Sequence, residues 1–111
     1  MTPVSIEVGE HRFCVRAGQT SPERCIDWSQ IVRVVAAKRD LFGRDLLCLF
    51  FETRPDGVIE VDESMAGWQN LLNALPARLP GALTADDWFA RVLFPAFAES
   101  PVEVFARPPL S

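Results

Sequence analysis

The sequence predicts an α+β fold: a bent antiparallel sheet, close to a partial barrel, capped by a helix, with a second helix and a short strand added to it. Three observations carry this expectation. The first two-thirds of the chain alternates apolar and polar residues in short runs separated by Gly, Pro, Ser and Asp. From Met65 onward the apolar period changes to three and four residues. One run, Leu46 to Phe51, is apolar at every position, which predicts a central strand covered on both faces.

Taken in order, "VSIEV" (Val4–Val8) and "HRFCVR" (His11–Arg16) alternate around Gly9-Glu10 and read as a hairpin. His11, Phe13 and Val15 share one face of the second strand, and Arg12, Cys14 and Arg16 share the other. "AGQTSPE" (Ala17–Glu23) has loop composition, and "RCIDW" leads into "SQIVRVVAAK", where β-branched residues from Ile31 to Val35 favour a strand. A turn centred on Gly43 precedes "DLLCLFFE" (Asp45–Glu52). "TRPDG" turns the chain again into "VIEVD" (Val58–Asp62).

Met65, Trp68, Leu71, Leu72, Leu75 and Leu79 then mark an amphipathic helix, with Ser64 as its N-cap and Pro76 expected to end or kink it. Thr84 opens a second helix whose first turn holds Asp86 and Asp87, where the macrodipole favours acids. Its apolar stripe is Trp88, Phe89, Val92, Leu93 and Phe97, broken near Pro95. "VEVFAR" (Val102–Arg107) reads as a short strand, and residues 108–111 as a frayed tail.

At 111 residues the chain fits one domain, with a core over 4–79 and an extension over 80–107 packed on it. Apolar residues make up 49% and charged residues 23%, so burial offsets chain entropy and disorder is not expected. A formal net charge of -4 argues against nucleic acid as a partner and disfavours electrostatic docking on anionic membrane lipid. No apolar run is long enough to span a bilayer. The first residues lack the basic-then-apolar order of a secretory leader. Cys14, Cys25 and Cys48 have no CxxC spacing, and their odd number reads as reduced, buried thiols in a cytoplasmic protein.

The order of elements, with "CIDWSQIVRVVA", "DLLCLFFE", "VIEVDE" and the helix "GWQNLLNAL", resembles the small bacterial pleckstrin-homology-like domains. In that resemblance Ile26, Trp28, Ser29, Ile31 and Val34 match an "I-x-W-S-x-I-x-x-V" entry into a central strand, over about residues 4–79. The last thirty or so residues depart from it. The pattern "GW…LP…LPG…DW…P.F" also resembles a group of small bacterial proteins of unassigned function. The resemblance implies a fold rather than an activity, since such scaffolds host lipid binding, peptide binding and structural roles.

The turn "KRDLFGRD" is the candidate partner-binding site: Lys38, Arg39 and Arg44 form a basic rim around an apolar tip, Leu41 and Phe42. The alternative pairs these cations with Asp40 and Asp45 while Phe42 covers the open end of the barrel. No catalytic constellation is expected. His11 and Cys14 fall on opposite strand faces, and Ser29 lacks a G-x-S-x-G context. Glu60 and Asp62 share a face and could act as an acid/base pair, but they also suit the solvent side of an edge strand. Zinc and calcium spacings are absent from the sequence, as is a Gly-rich phosphate loop, so neither metal nor cofactor is expected. Phe94, Phe97 and Phe105 either cover strand Leu46–Phe51 or form an exposed patch for a partner or a second copy.

These observations lead to the expectation of a non-enzymatic protein-binding module, either an immunity-type or regulatory partner of another protein or a self-associating one. The alternative is peripheral membrane or anionic-ligand binding through residues 38–44.

Overall fold

The computed structural model describes residues 4–17, 23–41, 43–55, 57–93 and 101–107. Its strands divide between two antiparallel sheets, without barrel closure among the described residues. The first sheet holds β1 (Val4–Val8), β2 (Arg12–Ala17) and β3 (Arg24–Asp27) in the order β1-β2-β3. The second holds β4 (Ile31–Leu41), β5 (Arg44–Thr53), β6 (Val58–Asp62) and β7 (Val102–Ala106) in the order β6-β5-β4-β7. The chain passes from one sheet to the other through a single 3-10 turn, Trp28–Gln30.

Trp28 anchors that passage. Its backbone N–H donates to His11 O at 3.0 Å, and its indole Nε1–H donates to Gly9 O at 3.1 Å. The ring packs 5.2 Å from that of Phe13, which in turn lies 4.9 Å from Phe51 of the other sheet. One aromatic row therefore joins the two sheets, with the indole N–H satisfied as a buried Trp requires.

β5 is central, as its apolar run predicts, but its two faces differ. Leu47, Leu49 and Phe51 point into the core with Val34 and Ala36 of β4 and Ile59 and Val61 of β6. On the opposite face Cys48 is buried while Leu46 and Phe50 are half-exposed. Two of the residues expected to supply a second apolar layer, Phe94 and Phe97, lie outside the described residues, so the described structure shows only part of this face. Among the described residues it carries charged side chains, with Arg39 lying 6.0 Å above the Phe50 ring and Arg33 bridging Glu52 at 3.2 Å and Glu103 at 2.9 Å. Phe105 is buried on β7, whereas Phe94, Phe97 and Pro95 lie outside the described residues.

Helix α1 (Trp68–Arg78) buries Trp68, Leu71, Leu72 and Leu75. Two details differ from the sequence expectation. Ser64 is not the N-cap: its N–H and hydroxyl both donate to Asp62 Oδ1, and the helix begins after Gly67. Pro76 does not end the helix. It sits in the last turn, where its missing N–H forfeits one bond, and Leu79 N still reaches Leu75 O at 2.8 Å.

Gly67 has φ +91° and marks the second junction between the halves of the fold. Ala66 forms a parallel bridge with Ser5, through Ile6 N to Ala66 O at 2.7 Å and Ala66 N to Val4 O at 3.1 Å. A Cβ at position 67 would lie 2.1 Å from Ile6 O, so this approach requires glycine.

Helix α2 (Ala85–Leu93) starts where expected. Thr84 Oγ1 donates to Asp87 Oδ2 at 2.9 Å, and Trp88 and Val92 enter the core. β7 then pairs with the free edge of β4, Val34 opposite Phe105. No helix among the described residues is long and apolar enough to cross a membrane.

The cysteine expectation is corrected at two of three positions. Cys14 and Cys25 stand opposite each other on β2 and β3 and are joined as a disulfide, with Cys14 half-buried and Cys25 exposed. Cys48 is the free, buried thiol, pushed up to about 11 by burial and then by the carboxylate of Glu60.

Candidate functional site

The 38–44 hairpin does not bring its cations together. Lys38 and Arg39 are consecutive on β4, so their side chains leave opposite faces of the sheet. Lys38 points inward with a side chain only 2% exposed, its Nζ 3.7 Å from Asp45 Oδ2. Arg39 points outward and pairs with Glu60 of β6 while covering Phe50. Arg44 stays exposed with no partner among the described residues. Leu41 ends β4, and Phe42 lies outside the described residues. Pairing across the turn, the blander of the two expectations, is present between Lys38 and Asp45.

A different end of the molecule gathers four arginines, with Glu10, Asp27 and Glu52 among them. The β1–β2 turn, the 3-10 turn, the C-terminus of α1 and Arg107 enclose an open groove of about 640 Å³. Trp28 is buried beneath it, fixed as described above. Arg12 and Asp27 form one wall, directly opposed in the β2–β3 register and paired at 3.2 Å. Both are well exposed, so this pair adds at most about 1 kcal/mol. Arg78, in the last turn of α1, faces the groove from the other side and has no partner among the described residues.

Arg107 sits at the junction of this groove with a second one of about 560 Å³, beside the β5–β6 turn. Its Nε donates to Ile31 O at 3.0 Å and its Nη2 to Trp28 O at 3.3 Å, while the guanidinium lies 5.5 Å from the Phe105 ring. These contacts hold the last described residue against the 3-10 turn. Arg54, whose exposed side chain has no partner among the described residues, lines the second groove. The two adjoining grooves thus present Arg12, Arg54, Arg78 and Arg107 along one end of a chain that is acidic as a whole.

His11, Asp27 and Ser29 also line the first groove, a set that raises the question of a nucleophilic triad. Such a triad needs hydrogen bonds from nucleophile to base and from base to orienting acid. Among the described residues no hydrogen bond joins His11 to Ser29 or to Asp27, and the Asp27 carboxylate is turned to Arg12. Glu60 and Asp62 do share a face, but Glu60 holds Arg39 and Asp62 holds the Ser64 turn.

Sequence reasoning missed the two grooves because their cations come from four separate segments, with no local spacing to mark them. The usable signal was Trp28, a large residue at a break in the alternation. No family model matches this chain, and neither a curated protein nor a solved structure similar to it was found.

Proposed function

We propose that the chain is a non-enzymatic protein-binding module that receives an acidic segment of a partner protein along the two grooves joined at Arg107. The observation that carries this reading is the pair of guanidiniums with no partner among the described residues, Arg54 and Arg78, flanking Arg107 on an otherwise acidic molecule. Guanidinium is suited to the task because its planar fork meets a carboxylate with two parallel hydrogen bonds. Trp28 beneath the first groove and the bound Arg107 give the surface a fixed shape, which lowers the ordering cost of binding. The hairpin 38–44 is the weaker candidate, since Lys38 and Arg39 already hold carboxylates of this chain.

Titration calorimetry with a short poly-glutamate peptide at low salt tests the reading. Binding is expected to weaken steeply with added salt and to fall at least about tenfold in an Arg54→Glu, Arg78→Glu double variant. Undiminished binding by the double variant, or no binding by the parent chain at low salt, overturns it. A cytoplasmic setting for this partner would keep Cys14 and Cys25 as thiols rather than as a disulfide.

A further inference from the structure

The β2–β3 ladder sets Cys14 directly opposite Cys25, so both side chains leave the same face of the sheet. Glu23 stands two residues before Cys25, with its Oε1 3.3 Å from the Cys25 sulfur. Its other oxygen, Oε2, receives Arg16 Nη2 at 2.6 Å. The two sulfurs and a carboxylate oxygen lie within 4.8 Å of one another at the surface. We propose that Cys14, Cys25 and Glu23, in the dithiol state, form a binding site for a divalent cation of the zinc class, with water as the fourth ligand.

The donor set selects the cation. Two thiolates and one carboxylate suit a borderline-soft ion, whereas magnesium and calcium require oxygen throughout. Tetrahedral coordination at a metal–sulfur distance of about 2.3 Å places the sulfurs about 3.8 Å apart. Directly opposed residues on paired strands can reach that separation by side-chain rotation alone, so the ladder pre-arranges the site. Arg16 holds one oxygen of Glu23 and leaves the other turned toward the sulfurs, which is the orienting role of an outer partner in metal sites.

The disulfide closes this site and reduction opens it. Two thiols of a reductant convert the Cys14–Cys25 bond to two protein thiols and leave the reductant as its own disulfide. The cation then displaces both thiol protons to solvent. Cys48 takes no part, because it is fully buried on the other sheet.

Cobalt(II), used as a spectroscopic stand-in for zinc, tests the proposal on the full chain kept reduced by a phosphine. One equivalent is expected to bind with a thiolate-to-metal charge-transfer band in the near ultraviolet, and added zinc should displace it. The oxidised chain should give no band, Cys14→Ser and Cys25→Ser should lose it, and Cys48→Ser should keep it. Glu23→Gln leaves both cysteines in place, so its expected loss of at least about tenfold in affinity reports the ligand rather than a damaged hairpin. The proposal is overturned by a reduced parent chain that shows no band, by an unaltered band in Cys14→Ser, or by unchanged affinity in Glu23→Gln.

Discussion

The four-stranded sheet sends Val34, Ala36, Leu47, Leu49, Phe51, Ile59 and Val61 into the interior, with α2 packed against β4 and β7. The three-stranded sheet buries far less, chiefly Ile6, Phe13 and Ile26. It is tied down instead by the Ala66 bridge on one edge, by the Trp28 hydrogen bonds, and by a disulfide across β2 and β3. Apolar area stabilises one half of the molecule, and discrete backbone and covalent ties hold the other. Each kind of support fails differently, and that difference can be measured.

The largest effect is expected at the point where both halves meet. Phe51→Ala removes a fully buried ring that packs on Phe13, and should cost about 3–5 kcal/mol in denaturant unfolding, with both sheets lost together. A cost below about 1 kcal/mol would break the comparison, since the four-stranded sheet would then not depend on its interior.

Gly67→Ala should come next. Positive φ strain and the loss of the two Ala66–β1 hydrogen bonds amount to about 3 kcal/mol. Hydrogen exchange should show β1 amides opening well before those of β5. Equal loss of protection in both sheets would mean that the junction belongs to the global core.

Reducing the disulfide should cost about 2.8 kcal/mol, from the chain entropy released when a link across 11 residues is cut. The effect should be confined to β3 and its loop, visible as lost amide protection at Arg24–Asp27 with β4–β6 unaltered.

The smallest effect at neutral pH belongs to Cys48. An unfolded thiol releases its proton near the ordinary 9.0, whereas the buried one holds it to about 11. Between these values the unfolded state binds fewer protons, so stability declines as pH rises through that window. A Cys48→Ala variant should lack this part of the alkaline decline while the disulfide-linked sheet behaves as before.

Local patterns in the sequence were readable because strands and helices impose a short period. Val4–Val8 and Val58–Asp62 form the two strands that alternation predicts, and Thr84 with Asp87 opens the helix its chemistry announces. Long-range pairing has no such period. Nothing near Val102 says that it will lie beside β4, and nothing around Trp28 says that the chain changes sheets there.

The disulfide was partly legible. Strands on either side of the loop "AGQTSPE" place residue 14 opposite residue 25 once the hairpin is taken as symmetric, but "RCID" was not recognised as a strand. Lys38 was misleading for a physical reason. A cation in a basic turn is ordinarily solvated, whereas the inward parity of β4 and the carboxylate of Asp45 draw this one inside. The arginines of the grooves were invisible as a group, because Arg12, Arg54, Arg78 and Arg107 converge only in three dimensions.

β7 has a temporal side as well. During synthesis the eleven-residue β4 emerges long before Val102–Ala106, so one flank of its amides stays open to any extended segment nearby. The closing strand is thus the cover that ends this sticky interval.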